Sequence, residues 1–239
     1  MAQSSIDLAD ILQADSHLPN LTNDLISPSP YLSLGKISTK NNFLDDKCFS
    51  ILHLNIRSLS SKYDELCATL DLFSTPLSCI IFSESWLKEE NKAFFEIPNY
   101  NSFHIVREDR KGGGVSIFVR KNFEAKLIDN LTVMSHDIER LCLSIKVSNS
   151  EHTVCGVYRP TDGDKSAFLA VMEEMAGNLT SKSNVHILGD MNINLLKCNE
   201  DNQANELFSL LTSNGFKCYI TKPTRVNKKN EESSSLIDH

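Results

Sequence analysis

Residues 185–192 read Val-His-Ile-Leu-Gly-Asp-Met-Asn. The stretch is an apolar run of strand length closed by a glycine, a carboxylate and a carboxamide. Val185–Leu188 is short and rich in branched side chains, as a buried strand is. A strand ends at the rim of its sheet, so Asp190 and Asn192 would be presented by a rigid element rather than by a free loop. The bland reading is that Gly189-Asp190 is a turn signal and that Asp190 and Asn192 only turn the chain.

The same arrangement recurs to either side. Ile51–Leu54 runs into Asn55, and Cys79–Phe82 into Ser83-Glu84. Thr153–Val157 runs into Tyr158-Arg159-Pro160, and Ser235-Leu236-Ile237 into Asp238. Val115–Val119 and Leu141–Val147 complete the candidate strands. Amphipathic stretches lie between some of them. Tyr63, Leu66, Cys67, Leu70 and Phe73 recur at helical spacing, as do Phe168, Met172, Met175 and Leu179, and Ala204, Leu207, Phe208 and Leu211. Ser61, three residues before Asp64, is a weak helix-start signal. Helices at both ends and strands clustered between residues 99 and 158 imply sheets packed together with helices outside.

Each polar strand end also has an ordinary explanation. Asn55 could form a turn or cap a helix, Glu84 could be a solvated carboxylate, and Tyr158 could plug a strand end. Taken together, the carboxylates Glu84, Asp190 and Asp238 and the carboxamides Asn55 and Asn192 could surround a hard cation. Magnesium takes one or two carboxylates and leaves its other positions to water and phosphate. Gly112-Gly113-Gly114 precedes a strand rather than a helix, so it reads as a hairpin turn and not as a phosphate cradle.

Bulk properties narrow the class. The 239 residues are 41% hydrophobic and 23% charged, which suits one large domain and a tail. A net charge of -7 excludes a strongly basic nucleic-acid coat protein. It does not exclude a nuclease, because a metal ion offsets the carboxylates that hold it. None of the seven cysteines forms a C-x-x-C pair, so a zinc site is not expected and free thiols in a reducing compartment are. No membrane-spanning run or signal peptide is visible. Residues 1–48, with Ser27-Pro28-Ser29-Pro30 and Ser38-Thr39-Lys40-Asn41-Asn42, have linker composition, and residues 49–239 carry the domain.

The ordered series Leu54-Asn55-Ile56, Ser83-Glu84-Ser85-Trp86-Leu87, Gly112-Gly113-Gly114-Val115, Val157-Tyr158-Arg159-Pro160, Gly189-Asp190-Met191-Asn192 and Ser235-Leu236-Ile237-Asp238-His239 resembles the endonuclease/exonuclease/phosphatase superfamily. Glu-Ser-Trp-Leu, the triple glycine, Tyr-Arg-Pro and Pro223-Thr224-Arg225 resemble its LINE-type (non-LTR) retrotransposon branch. The resemblance implies an α/β fold, a DNase I-like four-layer α-β-β-α sandwich. It implies a magnesium- or manganese-dependent DNA-nicking endonuclease with a reverse transcriptase downstream in the full-length product. Carried over residue by residue, Glu84 looks like the metal ligand, with Asn55 beside it. Tyr158 resembles the tyrosine on the scissile phosphate, and Asp190 the aspartate that aligns or activates water. Asn192 resembles a phosphate-binding neighbour, and Asp238 the aspartate that orients a catalytic histidine. Lys222, Arg225, Lys228 and Lys229 could grip the DNA backbone, or form a solvated loop that Glu231 and Glu232 partly neutralise.

The sequence departs from the family in one place. A final Ser-Asp-His motif, whose histidine is the general base, does not follow Asp238, so the fold is expected to be incomplete at its C-terminus. His239 is not expected to substitute, since the residue after Asp238 in a strand points to the opposite face. The alternatives are a catalytically dead remnant that persists as a binding or inert fold, and a lipid or inositol phosphatase of the same superfamily. The resemblance implies an intracellular protein without membrane attachment, nuclear when acting on DNA.

Overall fold

The computed structural model describes residues 48–225 and 234–239. The linker reading of residues 1–48 therefore lies almost wholly outside the described residues, as do Lys228 and Lys229.

Two sheets organise the chain. The first contains β1 (Ile51–Asn55), β2 (Cys79–Ser83), β3 (Tyr100–Ile105) and β4 (Val115–Arg120), in the order β1-β2-β4-β3. The second contains β5 (Glu124–Leu127), β6 (Val133–Met134), β7 (Glu139–Val147), β8 (Ser150–Tyr158) and β9 (Val185–Asp190), in the order β5-β7-β8-β9 with β6 beside β7. Three helices, α1 (Leu59–Leu70), α2 (Lys165–Leu179) and α3 (Asn202–Ser213), flank them.

The central strands read as continuous apolar runs because both of their faces are covered. Along β2, Cys79 and Ile81 enter the core between the sheets, while Ile80 and Phe82 pack with Leu59 and Leu66 of α1. Along β7, Leu141, Leu143 and Ile145 face the other sheet, while Cys142 faces Phe168, Leu169 and Met172 of α2. Period-two side chains thus divide three apolar clusters among four layers, α-β-β-α. Gly156 of β8 sets the separation of the sheets. A Cβ there would meet the methyls of Ile81 and Val115 at 2.9 Å, which is overpacked.

All six candidate strands are present, each longer by one to four residues, and so are the three candidate helices, the first ending at Leu70 rather than reaching Phe73. β3, β5 and β6 are additional. The α1 cap is Ser58, whose hydroxyl accepts from the Ser61 amide, so Ser61 lies inside the helix rather than starting it. The triple glycine does join β3 to β4 as a hairpin, and all three glycines have positive φ.

Both parallel pairs carry their C-terminal ends to one rim. In β1 and β2, Asn55 lies opposite Ser83, just before Glu84. In β8 and β9, Tyr158 lies opposite Asp190. The segment ending at His239 joins the free edge of β9, where Asp238 pairs antiparallel with Asp190. Gly189 and His239 exchange both backbone hydrogen bonds at 2.8 Å. Asp190 and Asp238 are therefore the closer, non-hydrogen-bonded pair, with side chains on one face.

Candidate active site

Asn55 joins the two sheets at this rim. Its amide nitrogen donates to Glu84 Oε1 at 3.1 Å and to Asp190 Oδ2 at 2.6 Å. Its Oδ1 is buried and has no partner. The Glu84 side chain also accepts from the indole of Trp86, at 3.1 Å. Tyr158 is 6% exposed. Burial, then the negative charges of Glu84 and Asp190, push its hydroxyl well above the usual phenol range.

Asp190 is 3% exposed. Its second oxygen accepts from the Asn192 amide at 3.0 Å. Burial, reinforced by the charge of Asp238, raises its carboxyl to about 6 against the hydrogen bonds of Asn55 and Asn192. A cation beside it would favour the ionised form. Asp238 is also raised by burial, opposed by a hydrogen bond from Thr224 and the charge of Arg225, and its Oδ1 is buried without a partner.

Backbone geometry aims these groups. Glu84, Trp86 and Asn192 have φ values of 52°, 55° and 50°. The left-handed region costs a non-glycine residue about 1–2 kcal/mol, and such residues cluster at functional sites when their surroundings enforce the conformation. For Glu84 and Trp86, the loop after β1 and the glycine hairpin enforce it. The Ser58 amide donates to the Glu84 carbonyl at 2.9 Å, and the Trp86 amide to the Gly113 carbonyl at 2.9 Å. For Asn192, Arg159 does so. This buried guanidinium donates to the carbonyls of Met191, Asn192, Pro160 and Gly163 at 2.8–3.0 Å. The Asn192 side chain returns a bond to the Arg159 carbonyl at 2.8 Å.

Asn55, Glu84, Tyr158, Asp190, Asn192 and Asp238 thus occupy one rim. Arg225 lies near enough to Asp238 to lower its pKa, and its backbone pairs with Ser235. Lys222 is half-buried three residues earlier on the same segment. The His239 ring lies 3.2 Å from the Ile193 carbonyl. Sequence reasoning missed Arg159 and Thr224 as positioning groups, although both lie inside motifs that it quoted.

The donor set suits a hard cation. Glu84 offers a carboxylate, and the orphaned Asn55 Oδ1 offers a neutral oxygen beside it. No cluster of three His, Cys, Asp or Glu able to hold a metal occurs among the described residues. Magnesium needs only one or two carboxylates. No helix among the described residues is long and apolar enough to cross a membrane.

No protein-family model matches the sequence, and no curated protein matches it. Solved structures share its fold. The shared features are two packed sheets with helices outside. An endonuclease/exonuclease/phosphatase family protein from Bacteroides thetaiotaomicron superposes with a TM-score of 0.52 and 18% identity, over 80% of this chain and 79% of its own. The chain is also similar to the endonuclease domain of TRAS1, a telomere-specific non-LTR retrotransposon. That match has a TM-score of 0.58 and 14% identity, over 80% of this chain and 82% of that one. A third structure, the 3' phosphatase NExo from Neisseria bound to a product DNA hairpin, gives a TM-score of 0.51 and 16% identity, over 80% and 85%. These identities make the likeness one of fold.

Proposed function

We propose that the chain is a DNA-nicking endonuclease domain of a retrotransposon-encoded protein, dependent on magnesium or manganese and acting in the nucleus alongside a reverse transcriptase. The observation that carries this reading is Asn55, whose side-chain nitrogen donates to Glu84 and Asp190 at once while its own oxygen is buried and unpaired. Glu84 and Asn55 Oδ1 hold the cation. When bound, it offsets charge on the phosphate and the leaving oxygen.

The remaining groups act around it. Asp190, its carboxyl raised by burial, aligns and activates the attacking water. The Tyr158 hydroxyl, kept neutral, and the second N–H of the Asn192 amide donate to phosphate oxygens without adding repelling charge. Arg225 and Lys222 hold the DNA backbone. Asp238 is placed to orient an imidazole, yet the nearest one in sequence, His239, faces Ile193.

Supercoiled-plasmid nicking in magnesium tests the reading. Nicking by the chain, lost in Asp190→Ala and retained in His239→Ala, is the expected result. Nicking that survives Asp190→Ala, or robust nicking that disappears in His239→Ala, would overturn it.

A further inference from the structure

Glu139 begins β7 opposite Tyr158 and is completely buried. Arg107, 9% exposed, forms an ion pair with its Oε1. Oε2 accepts from the Gly114 amide at 2.5 Å. Glu139 meets the rim at Tyr158, whose hydroxyl its charge helps to raise, and no role was assigned to either residue from the sequence.

A continuous chain of contacts nevertheless leads from this pair to Glu84. The Gly114 and Gly113 carbonyls accept from the Ser85 and Trp86 amides at 3.1 and 2.9 Å. The Trp86 indole donates to Glu84 Oε2 at 3.1 Å. Gly113 is packed so tightly that a Cβ would lie 2.5 Å from Glu139 Oε1 and 2.6 Å from Arg107 Cζ. The hairpin is thus moulded onto the ion pair, and the left-handed Glu84–Trp86 turn is moulded onto the hairpin. Stability alone does not account for such a pair. Replacing a buried ion pair with apolar residues of similar volume is often neutral or stabilising, whereas removing one partner is strongly destabilising.

We propose that Arg107 and Glu139 are positioning residues that hold the triple-glycine hairpin, and through it the Trp86 indole and the Glu84 carboxylate, in the geometry that receives the cation. The cation arm of this inference rests on the function proposed above; the optical arm does not.

Trp86 is the only tryptophan in the chain, so its emission reports the hairpin without any ligand. The paired replacement Arg107→Met with Glu139→Leu should keep a cooperative melt near that of the parent. Its Trp86 emission should move to longer wavelength, and acrylamide should quench it more readily. Manganese affinity, measured by calorimetry, should fall by about 10–100-fold, as for residues that support a ligand rather than ligate. Arg107→Lys keeps the charge and loses the two-pronged guanidinium. It should show the same optical shift to a smaller degree, and it decides the matter if the double variant does not melt cooperatively. Parental Trp86 quenching in whichever of these variants folds would overturn the inference. Failure of the function proposed above looks different, because the parent would then bind manganese no better than Glu84→Gln while the optical shift persisted.

Discussion

At the scale of single residues, the site depends on groups that are buried, polar and almost fully partnered. Arg159 is the clearest case, since it serves four carbonyls while 2% exposed. Arg159→Met should strand several of those acceptors. One buried unsatisfied group costs about 1–3 kcal/mol, so urea unfolding should show a loss of at least that size; a smaller loss would mean that water replaces the guanidinium. His104 makes a second case. Burial, aided by the charge of Lys92, lowers its pKa from 6.5 to about 4. The unfolded chain takes up this proton first as pH falls, so the contribution of His104 is intact above about 6.5 and is lost toward about 4. The melting temperature of the parent should therefore drop more between pH 7 and 5 than that of His104→Asn, and equal drops would refute the assignment. Which residues would face the rim was legible, because each polar side chain closed an apolar run. The left-handed turns at Glu84, Trp86 and Asn192 were not. None is a glycine, and contacts from distant segments hold them there.

At the scale of elements, legibility followed burial. β2, β4, β7 and β8 lie within the sheets, so their apolar runs announced them. β3 and β5 carry exposed polar positions, with Asn101, Ser102, Glu124 and Lys126 open to solvent, and their patterns resemble loops. The start of α1 was misplaced because the Ser58 cap has φ 88° and ψ 97°, a conformation fixed by the Glu84–Ser85 carbonyls rather than by local sequence. Gly156 invites a test at this scale. Gly156→Ala pushes a methyl into Ile81 and Val115 across the sheet interface. Overpacking of this kind costs about 1–3 kcal/mol. At about 2–4 °C per kcal/mol for a domain of this size, the variant should melt several degrees lower. An unchanged melt would show that the sheets can separate freely.

At the scale of the whole molecule, the two sheets bring together residues separated by more than a hundred positions. The hydrogen bond from Asn55 to Asp190 spans 135 residues. Periodicity placed each of these residues at the end of a strand, but only the ordered resemblance implied that the ends share one rim, because no local signal encodes how two sheets are stacked. That juxtaposition is the central claim: Glu84 and Asn55 come from one sheet and Asp190 and Asp238 from the edge of the other, and the cation proposed above would be held where they meet, by Glu84 and Asn55 Oδ1. Manganese binding followed by electron paramagnetic resonance tests it most directly, because it requires neither DNA nor turnover. The parent should bind one manganese ion weakly. Glu84→Gln and Asn55→Ala should each weaken binding further, the first because a neutral amide no longer offsets the cost of dehydrating the cation. Manganese affinity unchanged in both variants would contradict the account.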